Sequence, residues 1–162
     1  MNNPHKNYIG VDIKASRIYT GAKNALESGI DNAAFIAMRV ESLADVFEDE
    51  KIEEIYIPFP DPHVRRKSAP RRLISPDFIS IYKTVLSQKG LIHFKTDNKG
   101  LFEYGLENIE KTGAVIHKIN EDVAGSTALN EAEQITTRYE RHYVNEGRTI
   151  RYVCFGFEKK NL

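Results

Sequence analysis

The chain has 162 residues, with 23 Lys and Arg balanced by 23 Asp and Glu, so no global attraction to nucleic acid follows from its charge. At 41% hydrophobic and 28% charged it can bury one core and stay soluble, and no apolar run approaches the roughly 18 residues of a membrane span. The opening MNNPHKNYIG lacks the apolar stretch of a secretion signal, and the single cysteine, Cys154, excludes an internal disulfide. A single domain over residues 1–162 in the cytoplasm is the expectation.

In chain order, Asn7–Ile13 reads as a short buried strand. Lys14–Ser28 then places Ile18, Ala22, Ala25 and Leu26 on one helical face, and Gly29 stops it. Ala33–Met38 is a second strand and Ser42–Phe47 a short helical segment. Glu54–Phe59 is a third strand, ended by PFPDP, where proline removes ladder donors. Pro62–Ile74 is a polar loop. Ser75-Pro76-Asp77 starts a helix, with a cap, a first-position proline and an acid in the first turn. Its apolar stripe is Phe78, Ile81, Tyr82, Val85 and Leu86, and Gly90 ends it. Leu91–Lys95 is a fourth strand. Lys99–Lys111 is a helix with Leu101, Phe102, Leu106 and Ile109 inward, and Ala114–Ile119 is a fifth strand. Asn120–Thr136 reads as a polar, mobile loop. Thr137 and Glu140 fit a capping box for a helix to about Glu146, and Thr149–Phe157 is the last strand. Cys154 lies in its apolar run RYVCFGF and reads as a buried strand residue rather than a nucleophile.

Strands alternating with helices predict an α/β fold with a mostly parallel sheet covered on both faces. Right-handed crossovers bring the strands' C-terminal ends to one edge, where such folds bind ligands. Asp12, Asp61 and Asp97 all fall at strand ends. Asp12 either accepts from ribose hydroxyls or caps the following helix. Asp61 sits between Pro60 and Pro62, which hold its backbone extended. It either projects into a ligand site or neutralises the cations that follow it. Those cations are Arg65, Arg66, Lys67, Arg71 and Arg72, with no acid between Pro62 and Ser75. An acidic segment over 41–54 contrasts with this basic loop. Asp97 either shares a pocket with Asp61 or caps the helix from Lys99. The five histidines show no paired ligand spacing, so no metal is expected.

Three runs, PFPDPHVRRKSAPRRL, HFKTDNKGLFEYGLE and TRYERHYVNEGRTIRY, resemble the bacterial tRNA (guanine-N7)-methyltransferases. The resemblance extends from about Asn7 to Phe157. It implies a Rossmann-like class I methyltransferase sheet with an antiparallel C-terminal strand, S-adenosylmethionine as cofactor and tRNA as partner. The implied reaction is methyl transfer to N7 of a variable-loop guanine. By position, Asp12 matches the acid that holds the cofactor's ribose, and Asp61 an aspartate serving both cofactor contact and catalysis. Arg65 matches a substrate-contacting lysine, Asp97 a substrate-contacting aspartate, and Thr137, Arg138, Tyr139 and Glu140 the C-terminal substrate stretch. Arg66, Lys67, Arg71 and Arg72 are assigned to tRNA phosphates.

The chain departs from the family at three places. Arg39 stands where an acid or Asn lies near the adenine, with Glu41 two residues on as the substitute. His63 replaces a common Trp. The family's first strand and Gly-rich E-x-G-x-G turn are not found ahead of NYIGVDI. The implied domain is therefore N-terminally incomplete, with sheet edges that need another partner or a second copy in a homodimer. Two alternatives stand beside this reading. One is a catalytically inactive tRNA-binding methyltransferase-like domain. The other, an aminomethylating enzyme, is disfavoured because no aromatic follows Pro60-Asp61-Pro62.

Overall fold

The computed structural model describes residues 4–47 and 52–157. Glu48, Asp49 and Glu50 of the acidic segment lie outside the described residues. The chain divides into two compact units, Met1–Val46 and Phe47–Leu162.

The first unit is a parallel pair, β1 (Tyr8–Asp12) and β2 (Ala33–Ala37), joined by α1 (Ala15–Glu27). Gly29 follows α1 at φ 66°, the left-handed geometry that ends a helix without a Cβ penalty. Asp12 pairs with Ala37 in register, and the Met38 N–H donates to the Asp12 carbonyl at 3.2 Å. Both strands therefore end side by side. A tight turn over Val40–Ser42 leads into α2 (Leu43–Val46).

The second unit is a four-stranded sheet in the order β3-β4-β6-β5, from Ile52–Pro58, Leu86–Thr96, Arg151–Gly156 and Val115–Asn120. β3 runs parallel to β4, while β6 is antiparallel to both β4 and β5. Three strands thus share one direction and the last is reversed, as the family resemblance implies. β6 is central and reads RYVCFG, apolar on both sides, because both faces are covered. On one face α3 (Pro76–Val85) supplies Phe78, Ile79, Tyr82 and Val85, and α4 (Lys99–Lys111) supplies Leu101, Phe102 and Ile109, all buried. The Phe94 and Phe102 rings stack there at 6.3 Å. On the other face Tyr152 and Cys154 pack with Val123, Ala132 and Ile150, and with the half-buried Phe59, Leu91, Leu129 and Tyr143. Burial raises the Cys154 thiol pKa although a hydrogen bond from Tyr152 lowers it, so it is a packed, protonated side chain rather than a nucleophile.

Three sequence expectations change. The third helix stops at Val85, not at Gly90, because β4 already begins at Leu86, opposite Ile52. Gly90 serves a bulge in that pairing: a Cβ there would meet Leu86 Cγ at 2.5 Å and the Ile52 carbonyl at 3.0 Å. The segment 120–136, read as a mobile loop, contains α5 (Glu131–Gln134), closed by a reciprocal capping box between Asn130 and Glu133. Finally, α6 (Arg138–Asn145) has only half of its predicted box. Thr137 Oγ1 accepts from the Glu140 N–H at 3.1 Å, but the Glu140 carboxylate points elsewhere.

Candidate active site

The C-terminal ends of β3 and β4 lie side by side, fixed by a bond from the Phe59 N–H to the Lys95 carbonyl at 2.8 Å. Asp61 follows β3 and Asp97 follows β4, so one sheet edge carries both. Their environments differ. Asp61 Oδ1 accepts from the His63 backbone N–H at 2.9 Å, an Asx turn that aims the carboxylate. The His63 imidazole lies 3.7 Å from the same oxygen. The Asp61 side chain is 70% exposed, and among the described residues none of the arginines that follow it pairs with it. Phe59 and His63 flank it at φ 50° and 40°, left-handed values unusual for side chains of this size.

Asp97 is enclosed. Its Oδ2 accepts from Arg148 Nη1 at 2.9 Å, and its side chain is 17% exposed. It does not cap α4: Asn98 does, accepting from the Leu101 N–H at 2.8 Å. Arg148 also reaches Glu146 at 2.8 Å and lies over the Tyr143 ring at 4.7 Å. The Asp97 hydrogen bond is the main cause that raises the Arg148 pKa. Tyr143 in turn touches Phe59, ring centres 5.6 Å apart, and Tyr139 at 6.5 Å. An aromatic surface thus joins the end of β3 to α6 beside Asp97. Sequence pattern alone does not point to Phe59, Tyr143 or Arg148; the aromatic that closes the strand Glu54–Phe59 is the one local signal.

The basic loop is a tight helical turn over Arg66–Arg71. Arg65, Arg66, Lys67 and Arg71 are exposed, and among the described residues none is in an ion pair. Arg72 differs. It donates to the carbonyls of Pro62 and His63, at 3.0 and 3.2 Å, and lies over the Tyr104 ring at 4.3 Å. Its guanidinium holds the loop that carries Asp61.

Of the C-terminal stretch, Arg138 and Tyr139 are exposed and Thr137 is the helix cap. Glu140 is buried, with both oxygens 3.0 Å from Lys95 Nζ. In the first unit, Asp12 accepts from the Lys14 N–H at 2.8 Å and pairs with Arg17 at 3.2 Å. Its side chain remains 28% exposed. It therefore orders the start of α1 and keeps lone pairs available. Arg39 pairs with Glu41 at 2.5 Å. Hydrogen bonds from the Glu41 backbone and from Arg39 hold the Glu41 carboxyl below the usual range.

Comparison with known proteins narrows the class. Solved structures share the fold at low identity. An rRNA methylase from Streptococcus thermophilus gives a TM-score of 0.59 at 12% identity, over 94% of this chain and 74% of that one. An O-methyltransferase from Thermotoga maritima gives 0.62 at 10%, over 96% and 51%. The likeness gives the fold, that of Rossmann-like class I methyltransferases. The family model described as putative methyltransferase matches residues 1–153. The tRNA (guanine-N(7)-)-methyltransferase of Christiangramia forsetii is 40% identical over 94% of this chain and 69% of its own length. The Porphyromonas gingivalis enzyme of the same name is 40% identical over 94% and 62%, and that of Cytophaga hutchinsonii 37% over 95% and 71%. The chain belongs to the tRNA (guanine-N(7)-)-methyltransferase family, and it spans 62–71% of the length of these relatives.

Proposed function

We propose that the protein transfers a methyl group from S-adenosylmethionine to N7 of a variable-loop guanine in tRNA. The observation that carries this reading is Asp61: an aimed, exposed carboxylate, unpaired with the loop's cations, on the same sheet edge as Asp97.

Guanine N7 has a free lone pair and needs no general base. The N7–carbon bond forms as the carbon–sulfur bond breaks, the electron pair leaves on sulfur, and the positive charge passes to the guanine. S-adenosylmethionine supplies the methyl as an electrophilic carbon on its sulfonium. The chain's own residues contribute alignment and charge. Asp12, with lone pairs open at the end of β1, suits the ribose hydroxyls, and the Arg39–Glu41 pair follows the neighbouring strand end on the adenine side. These groups suit the ribose and adenine parts of the cofactor. Asp61 stabilises the cationic base as charge develops on it. Asp97 accepts from the guanine's N1 and N2 donors after Arg148 releases it. Arg65, Arg66, Lys67 and Arg71 hold phosphates, while Arg72 shapes the loop. Thr137, Arg138 and Tyr139 present the end of α6 to the RNA. A flipped guanine would find the Phe59 and Tyr143 rings beside Asp97. Among the described residues no helix is long and apolar enough to cross a membrane, and a tRNA substrate assigns the protein to the cytoplasm.

The test is Asp61→Ala. Methyl transfer to tRNA should fall by about 10²–10³-fold, the scale of a lost preorganised electrostatic group, with tRNA affinity unchanged. Activity retained in that variant rejects the assignment. Calorimetry with S-adenosylmethionine separates an enzyme from an inactive tRNA-binding domain, which would bind tRNA but no cofactor.

A further inference from the structure

Lys95 lies two residues before Asp97 on β4 and is 5% exposed, a rare position for an ammonium group. Its Nζ donates to both carboxylate oxygens of Glu140 at 3.0 Å, to the Glu133 carbonyl at 2.9 Å and to the Ile135 carbonyl at 3.1 Å. Three N–H donors are shared among acceptors on three successive pieces of chain: the end of α5, the connection after it, and α6. Glu140 is as fully committed, with a side chain 6% exposed and both oxygens on Lys95. It gives up the reciprocal half of its capping box for this partner.

That geometry fixes the rotation of α6. At about 100° per residue, turning Glu140 into the sheet sends Arg138 outward and brings Tyr143, three residues on, to the same side as Glu140, with Tyr139 one turn before Tyr143 at the exposed flank of that face. Tyr143 there meets Phe59 and underlies Arg148, the partner of Asp97.

We propose that Lys95 and Glu140 are a positioning pair for tRNA. They set α6 on the sheet so that Arg138 and Tyr139 face the RNA and Tyr143 lies against Phe59, and Glu140 itself does not touch substrate. The proposal rests on the tRNA reading above.

The test uses the whole chain, with tRNA affinity and amide exchange of residues 138–145 measured on Lys95→Met, Glu140→Met, the double variant and Glu140→Gln. Each methionine variant should weaken tRNA binding about tenfold and speed exchange in α6. The double variant should lose no more than the worse single, because both act through one contact. A lone buried charge can unfold either single variant. Glu140→Gln covers that case: its amide oxygen still accepts from Lys95, so affinity should stay within about threefold of wild type. Losses that multiply in the double variant overturn the proposal. So does a tenfold loss in Glu140→Gln with α6 exchange unchanged, since the carboxylate would then be contacting RNA. If the wild-type chain binds no tRNA, the functional reading fails on its own. Exchange still decides the pairing: α6 deprotected in both singles upholds it, and α6 protected in either refutes it.

Discussion

The loop after β3 and the connection between β5 and β6 are both polar, the first rich in cations and the second in carboxylates, and they use charge in opposite ways. In the loop, Arg65, Arg66, Lys67 and Arg71 stay exposed, and one arginine, Arg72, fastens the chain through backbone carbonyls. In the connection, carboxylates turn inward. Glu133 meets Lys118 at 2.5 Å and the Asn120 amide at 2.7 Å, and Glu140 meets Lys95. The first region keeps its charge available to a polyanion. The second consumes charge to order a polar segment over its apolar contacts. Charge counted along a sequence therefore does not distinguish a binding surface from an internal tie; burial of the partner does.

The largest expected effect on this contrast comes from breaking a tie. The Glu133 side chain is 0% exposed and Lys118 33% exposed. Lys118→Met leaves the carboxylate with the Asn130 N–H and the Asn120 amide alone. Unfolding in denaturant should show a loss of about 2 kcal/mol, below the roughly 3–5 of a fully buried pair because Lys118 is a third exposed. Burial raises the Glu133 pKa, but hydrogen bonds from Lys118, Asn130 and Asn120 outweigh it and hold the carboxyl below its ordinary range. A carboxyl lowered in the folded state stabilises above its unfolded pKa and loses that contribution as pH falls through the folded value. Wild-type stability should therefore drop below about pH 4.5 more steeply than that of Glu133→Gln. Equal acid limbs would show that Glu133 is not tied.

The same contrast marks what the sequence could disclose. Strand and helix positions follow apolar periodicity, and α4 runs from Lys99 to Lys111 as its stripe and its asparagine cap require. The cap of α5 was equally visible, since Asn130 and Glu133 stand three apart, but the polar composition around them concealed it. The loop's exposed cations were legible because nothing nearby in sequence could neutralise them. Lys95 was not. Its acceptors lie 38 to 45 residues away, and they reach it only once the sheet is assembled. Arg148 and Asp97 are 51 residues apart for the same reason. Local patterns reveal elements and surface charge, while inward charge pairs depend on topology.

A smaller effect sharpens the comparison at the end of the second region. Thr137 is the N-cap of α6, just before the exposed Arg138 and Tyr139, and its hydroxyl satisfies one N–H of the first turn. Thr137→Ala should cost about 1 kcal/mol, and Thr137→Ser almost nothing. If the cap only stabilises α6, thermal unfolding will register the loss and saturating tRNA will restore most of it by mass action. If the hydroxyl also contacts RNA, affinity will fall in the Ala variant even at temperatures where it is fully folded.

The smallest effect on stability should come from the first region. Replacing Arg65, Arg66, Lys67 and Arg71 together by Gln removes only exposed charges without described partners. Each surface substitution should change folding stability by less than about 0.5 kcal/mol. The same four changes should have a large effect on binding. Each cation that neutralises a phosphate releases a counterion, so the slope of log affinity against log salt should fall by roughly 0.7–0.9 per contact removed. Arg72→Gln reverses the pattern: its carbonyl bonds and its place over Tyr104 make it part of the fold. It should lower stability more than any single loop cation and change the salt slope less. A quadruple variant with an unchanged slope would show that the exposed cations are solvated surface, and the contrast between the two regions would lose its functional meaning.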